Sequence, residues 1–115
     1  MTDLDVSLMR GTLDLLILKA LSWGPRHGYA VAEWIEGTTG DALLVGEGTL
    51  YPALHRLERA GLLKSEWGLS EHNRQAKYYT MSRGGRARLK AGTSSWTRFV
   101  EAAARALNTT TPAPA

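Results

Sequence analysis

Side chains that donate hydrogen bonds or carry positive charge lie on one side of the segment 49–60, namely Tyr51, His55, Arg56 and Arg59. The other side of this segment has leucine at positions 50, 54 and 57, which is the spacing of an apolar stripe on an α-helix. Arginine, histidine and tyrosine bind phosphate oxygens and base edges through their donors. The spacing therefore predicts a helix that packs through leucine and presents a polar, partly cationic face to a polyanion.

A second group of donors follows a polar stretch rich in turn residues. Arg74, Gln75 and Lys77 lie where a hairpin would bring them close to phosphates. The net charge of +3 is unevenly distributed: residues 1–60 contain five Lys/Arg and eight Asp/Glu, whereas residues 61–115 contain nine and three. This asymmetry favours a polyanionic partner on one face, although a solvated basic helix surface would give the same counts.

The remaining residues do not indicate catalysis or metal binding. His27, His55 and His72 are scattered, and the chain has no cysteine. No nucleophile elbow, phosphate-binding glycine loop or metal-ligand spacing is present. We therefore expect a protein that is not an enzyme and needs no cofactor or metal.

The sequence also gives no sign of export or membrane insertion. The first residues are acidic and polar, unlike the basic and then apolar start of a signal peptide. The longest apolar stretch, 13–21, is interrupted by Asp14 and Lys19 and is shorter than the ~20 residues of a membrane span. A cytoplasmic location is expected.

The order of periodic segments predicts a mainly α-helical fold with a small β-hairpin. Helices are expected at 8–21, 27–35, 49–60 and 83–107, and strands at 62–67 and 76–81. Thr49 and Ser82 are the expected N-caps, and Gly61 is the expected C-terminal glycine. Three helices followed by a hairpin form a winged helix-turn-helix, whose third helix enters the major groove.

The organisation predicted from these elements is a single compact unit. Residues 1–82 form the winged helix-turn-helix domain, and residues 83–107 form a dimerisation helix. Residues 108–115 have no apolar period and contain two prolines, so they are expected to be a disordered tail.

The last helix has a heptad-like apolar seam, formed by Leu89, Trp96, Val100, Ala103 and Leu107. We expect this seam, with Leu8 of the first helix, to join two copies of the chain. Trp96 either packs in the seam, which is the commoner use of tryptophan at this spacing, or stacks on a planar aromatic effector. Phe99 and Val100 are further candidates for such an effector site.

Three interior details are also predicted. The linker 41–47 should pack inward through Leu43, Leu44 and Val45. Tyr79 should face the core because neighbouring side chains alternate along a strand. Glu58 is expected to neutralise Arg59 or Lys64.

Several stretches resemble the PadR family of bacterial transcriptional regulators. The most specific is residues 48–63, GTLYPALHRLERAGLL. Residues 10–14 (RGTLD), 27–29 (HGY) and 77–82 (KYYTMS) followed by Gly85 are also similar. The similarity extends from about residue 8 to residue 89, and the single short last helix resembles the compact subgroup of the family.

This resemblance implies a sequence-specific DNA-binding regulator. PadR-like proteins are typically dimeric repressors that exchange their last helix, bind inverted-repeat operators on double-stranded DNA and release them when an effector binds. Some bind flat aromatic compounds between the subunits. On this basis the expected DNA contacts are Thr49, Tyr51, His55, Arg56, Arg59, Arg74, Gln75 and Lys77.

The alternative is a winged-helix module that binds another protein without reading DNA. Charge on the third helix and the hairpin discriminates between the two. The hairpin and the start of the last helix are basic, which favours nucleic acid. The third helix is only mildly basic, so the sequence leaves this alternative open.

Overall fold

The computed structural model describes residues 4–5 and 10–112. Within them the elements are β1 (Leu4–Asp5), α1 (Arg10–Ala20), β2 (Arg26–His27), α2 (Gly28–Thr38), β3 (Leu43–Leu44), α3 (Glu47–Arg59), β4 (Leu63–Leu69), β5 (Gln75–Met81) and α4 (Arg83–Leu107). The predicted fold, a mainly helical winged helix-turn-helix followed by one long helix, is confirmed. Leu8, which was predicted for the dimer seam, lies outside the described residues.

The helix α1 is at the centre of the core. Leu13, Ile17 and Leu18 of this helix, and Leu21 directly after it, are almost completely buried. The helices α2, α3 and α4 all contact α1. Burying an aliphatic side chain of this size contributes about 1.5–3 kcal/mol. The helix is therefore the surface on which the other helices are assembled.

The helix α3 begins earlier than the sequence suggests. Its N-cap is Gly46, so the predicted cap at Thr49 is wrong. The extended backbone at Gly46 lets its carbonyl accept a hydrogen bond from the backbone N–H of Leu50, which starts the helix two residues sooner. At the other end Gly61 adopts a φ of 77°, as predicted for a C-terminal glycine. The backbone N–H of Leu62 donates a hydrogen bond to the carbonyl of Leu57 in the last turn.

The linker before α3 forms a short strand rather than an irregular loop. β3 pairs in parallel with β1. Val45 is buried and Leu43 is partly buried, but Leu44 is 47% exposed. The prediction that all three pack inward is wrong for Leu44, because alternation along the strand turns it to the opposite side.

The sheet has three strands instead of the two predicted. β4 and β5 form the antiparallel hairpin, here called the wing, and β2 pairs with the free edge of β5, with His27 opposite Tyr78. A strand of two residues is too short to produce a detectable period, so the sequence did not indicate β2. Tyr79 faces the core as predicted and is 1% exposed.

The helix α4 begins and ends as predicted. The Ser82 hydroxyl accepts a hydrogen bond from the backbone N–H of Gly85 at 3.1 Å and donates one to the Gly61 carbonyl at 2.6 Å. A Cβ at Gly85 would lie 2.2 Å from the Leu62 carbonyl oxygen, whereas one at Gly84 would meet no atom nearer than 3.7 Å. Only one of the two adjacent glycines is thus required for the close approach of α4 to the wing.

We predict opposite effects for alanine at these two positions. Gly85→Ala should lower the free energy of unfolding by about 1–3 kcal/mol, because the methyl group overlaps backbone that cannot move away alone. Gly84→Ala should raise it by up to about 1 kcal/mol through helix propensity. Urea unfolding at one protein concentration measures both, and equal effects at the two positions would contradict the close approach.

Candidate nucleic-acid interface

One side of α3 is exposed and polar. The inner side of this 13-residue helix is buried through Leu50, Ala53, Leu54 and Leu57. Tyr51, His55 and Arg59, spaced four residues apart, are exposed on the outer side, and Thr49 is half-buried. A helix of this size fits the major groove of B-DNA, which is ~12 Å wide.

Arg56 does not share this exposed side. Its guanidinium donates a hydrogen bond to the carboxylate of Asp14 on α1. The two side chains are 28% and 27% exposed. The expectation that Arg56 points away from the protein with its neighbours is not met, because the arginine lies at the edge of the buried face, where a carboxylate of α1 binds it.

Glu58 lies at the opposite edge of α3 and is bound by the wing. Its carboxylate accepts a hydrogen bond from the Ser65 hydroxyl and lies 3.8 Å from Nζ of Lys77. Neither Arg59 nor Lys64 pairs with it among the described residues, so the prediction of those partners is wrong. The hairpin folds back over α3 and supplies the partners, which leaves Lys77 with a compensated charge.

The loop of the wing is held by its own hydrogen bonds. The backbone N–H of Ser70 donates to the Arg74 carbonyl at 2.8 Å, and the Ser70 hydroxyl accepts from the backbone N–H of Arg74. Asn73 occupies the left-handed region with a φ of 57°, which asparagine tolerates better than most residues. The Tyr78 ring covers Gly68, where a Cβ would lie 3.1 Å from it. Arg74 is therefore exposed on a hairpin of defined shape.

An open groove of about 500 Å³ lies between α2, α3 and the wing, and is called here the interface groove. Its lining residues are His27, Gly28, Tyr29, Tyr51, His55, Trp67, Gln75, Ala76, Lys77 and Tyr79. Four predicted DNA contacts therefore meet in one place: Tyr51, His55, Gln75 and Lys77. Arg59 borders an adjoining depression with His55 and Glu58, and Arg74 is exposed beside the groove at the end of the wing loop.

The three elements of the groove meet at the start of α2. A Cβ at Gly28 would lie 3.0 Å from the Tyr51 ring and 3.3 Å from its hydroxyl. His27 caps α2, because its Nδ1 accepts a hydrogen bond from the backbone N–H of Ala30 at 3.1 Å. Its Nε2 lies 3.8 Å from the Glu71 carboxylate in the wing loop. The beginning of α2 thus contacts both α3 and the wing.

Two groups near the groove have shifted pKa values. A hydrogen bond from its own backbone N–H lowers the pKa of Glu71; desolvation opposes this effect, and two nearby histidines, including His27, reinforce it. Burial raises the pKa of Tyr79, with a smaller contribution from the charge of Glu58. Glu71 therefore stays anionic and Tyr79 stays neutral near pH 7.

Two exposed aromatic residues of the groove were not among the predicted DNA contacts, Tyr29 and Trp67, which are 64% and 67% exposed. Alternation along β4 places Trp67 on the same face as the buried Leu63. The wing extends beyond the core, so that this face is buried at one end and open at the other. A period in the sequence gives the face of a strand but not the point at which the core ends.

A second, apolar cavity of about 180 Å³ lies between α1 and α4. It is lined by Thr12, Leu15, Leu16, Lys19, Leu89, Thr93 and Trp96. The indole Nε1 of Trp96 donates a hydrogen bond to the Thr12 hydroxyl at 3.0 Å. The predicted effector residues are therefore divided, since Trp96 lines this cavity while Phe99 and Val100 lie on the exposed part of α4 beyond it.

Two other kinds of site are absent from the described residues. None of the helices among them is both long enough and apolar enough to cross a bilayer. In the same residues no three His, Cys, Asp or Glu side chains are grouped in a way that could hold a metal ion.

Solved structures of other proteins share this arrangement. A transcriptional regulator from Clostridium thermocellum has a TM-score of 0.78 and 29% sequence identity, over 86% of this chain and 96% of that one. A PadR family transcriptional regulator from Eggerthella lenta has a TM-score of 0.75 and 32% identity, over 90% and 88%. A PadR-like transcription factor from Bacteroides fragilis has a TM-score of 0.69 and 29% identity, over 86% and 93%.

Sequence relatives and a family model agree with these structures. An uncharacterized Lysinibacillus sphaericus protein is 29% identical over 94 residues, 82% of this chain and 86% of that protein. An uncharacterized 37.1 kDa protein in transposon Tn4556 of Streptomyces fradiae is 44% identical over 64 residues, and the match spans only 17% of its length. The model of the transcriptional regulator PadR-like family matches residues 17–91, which is more than half of the chain. The chain therefore belongs to the PadR-like family of transcriptional regulators.

Proposed function

We propose that this transcriptional regulator binds a specific DNA sequence as a homodimer and represses its target. The observation that carries the proposal is the exposed side of α3 beside the wing. Tyr51, His55 and Arg59 point outward from a helix whose other side is buried, and the interface groove separates them from a second exposed cation, Arg74. This is the relation that a winged helix-turn-helix needs between its recognition helix and its wing.

In the proposed complex α3 lies in the major groove. His55 and Arg59 contact base edges or phosphates there, and Tyr51 donates its hydroxyl to a phosphate that is also near the start of α2. Arg74 and Gln75 contact the flanking backbone. Arg56 is left out of this set, because Asp14 already holds its guanidinium.

The exposed part of α4 supports a homodimer. Beyond Trp96, every residue of α4 except Ala103 is exposed, including Phe99 at 71% and Leu107 at 84%. A helix with this much apolar surface requires a partner in water. A second copy supplies the same seam through a two-fold axis, which would also orient two recognition helices toward an inverted repeat.

Release by a small effector is the finer part of the proposal. The cavity beside Trp96 is apolar, but at about 180 Å³ it is smaller than the ~300–1,000 Å³ of most ligand sites. A planar aromatic compound stacked on Trp96 would therefore need the second subunit to complete its site. The hydrogen bond from Nε1–H to Thr12 holds the indole ring of Trp96 in one orientation, and the face of the ring could then stack on such a ligand.

A regulator of this kind would act without catalysis and in the cytoplasm, where bacterial operators are found. If the protein instead bound another protein through the same face, it would not bind DNA at any salt concentration. The DNA-binding experiment therefore also tests the alternative of a protein-interaction module.

We predict salt-dependent binding to a duplex that the purified protein selects from a random-sequence pool. Each phosphate contact contributes about 0.9 to the slope of log Kd against log salt concentration. Arg59→Ala and Arg74→Ala should each reduce that slope by about this amount, as measured by fluorescence anisotropy between 50 and 300 mM KCl.

Arg105→Ala is the matched control, because it removes an exposed arginine from the last turn of α4, ~30 Å along the helix from the wing. Its slope should equal that of the wild type. An absence of binding at 50 mM KCl, or equal slopes for all three variants, would refute the proposed interface.

We also predict a dimer that depends on the seam. Val100→Lys should raise the dimer dissociation constant at least about a hundredfold, because it places a charge in the centre of the contact. Ser94→Lys adds the same side chain to the opposite side of α4, where Ser94 is exposed, and should leave the dimer intact. Analytical ultracentrifugation measures both, and a wild-type protein of 12.6 kDa at micromolar concentration would exclude the homodimer.

A further inference from the structure

We propose that Arg56 is a positioning residue: its pair with Asp14 sets the rotation of α3 relative to α1, and through α1 relative to α4. The inference rests on the DNA-binding function proposed above. The position of Arg56 in α3 suggests contact with DNA. The inference instead gives Arg56 the role of aligning the other side chains of α3.

The first observation is the pair itself. Arg56 lies between the buried Ala53 and the exposed Arg59 on the helix surface. Its bond to Asp14 is the only side-chain hydrogen bond between α3 and α1 among the described residues. Both partners are about three-quarters covered, so the geometry of the pair is more constrained than that of an ion pair on an open surface.

The second observation is that the rest of the contact between α3 and α1 is apolar. The α3 stripe is aliphatic, and hydrophobic attraction depends on buried area rather than direction. Leucine side chains alone therefore allow α3 to roll by a small angle with little loss of buried area. A hydrogen bond from the edge of the helix restricts such a roll, and the roll decides whether His55 and Arg59 point into the DNA groove or beside it.

The third observation is that α1 is held firmly on its other side. The Trp96 indole donates to the Thr12 hydroxyl at 3.0 Å, and a Cβ at Gly92 would lie 2.5 Å from Cδ2 of Leu15. The helix α4 is thus in close contact with the side of α1 that faces away from Asp14. A change in the packing of α4 on α1 would move Asp14, and Arg56 would transfer the movement to α3.

Salt dependence distinguishes positioning from contact. With the selected duplex, Arg56→Gln should weaken binding about three- to tenfold at every salt concentration and leave the slope unchanged. Arg59→Gln, the same substitution one turn along α3, should reduce the slope by about 0.9. If Arg56→Gln reduces the slope as Arg59→Gln does, Arg56 contacts phosphate and the proposal is wrong.

The partner residue gives a test with the opposite electrostatic expectation. Asp14→Asn removes a negative charge from a protein that binds a polyanion, so charge alone would strengthen binding. If the pair positions α3, this variant should instead bind about three- to tenfold more weakly. Asp41→Asn is the control, because Asp41 is exposed and asparagine tolerates its φ of 62°. The Asp41→Asn variant should bind DNA as tightly as the wild type or slightly more tightly. Equal or tighter binding by Asp14→Asn would overturn the inference.

A double variant separates this effect from a general loss of structure. If the two residues act only through each other, Asp14→Asn with Arg56→Gln should be no weaker in DNA binding than the weaker single variant. If the losses of DNA affinity in the two single variants add up in the double variant, the two residues do not act through each other. Circular dichroism and thermal unfolding establish that each variant is folded. If the wild-type protein binds no duplex, the proposed function fails, whereas wild-type binding with an unaffected Asp14→Asn variant rejects only the role of the pair.

Discussion

The burial of one side of α3 in the core shared with α1 is the contact on which the rest of the molecule depends. Leu50 and Leu54 are at most 2% exposed, and each buried leucine contributes about 1.5–3 kcal/mol. Because a helix side chain recurs every 3.6 residues, burial of this stripe forces Tyr51, His55 and Arg59 to the opposite side. The surface offered to a partner is thus a geometric consequence of the core.

Two charged residues of α3 do not take part in that surface. Arg56 binds α1 at one edge of the helix, and Glu58 binds Ser65 and Lys77 of the wing at the other edge. Aliphatic packing decides which side of the helix is buried but allows a small roll about its axis, whereas hydrogen bonds are directional. The two polar contacts therefore orient α3 between the helical body and the wing. A count of basic residues would assign Arg56 and Lys77 to the interface, although each of them lies beside a carboxylate of the protein itself.

The helix α4 changes character along its length. Its first half is shaped by close approaches at Gly85 and Gly92, and its Trp96 binds Thr12 of α1. Its second half carries exposed apolar side chains, among them Phe99. The first half belongs to the winged unit, and the second half extends from it as an incomplete contact surface, which supports the proposal of a second copy.

Local and periodic features were predictable from the sequence alone. The α3 stripe, the Ser82 cap, the Gly61 turn and the wing depend on residues within a few positions of each other, so the order of elements and the exposed side of α3 followed directly. The partner of Arg56, the strand β2, the partners of Glu58 and the groove beside Trp67 were decided only by the tertiary structure. Asp14 is 42 residues from Arg56 in the sequence. A local pattern cannot predict which distant side chain the packing of the helices will bring next to Arg56.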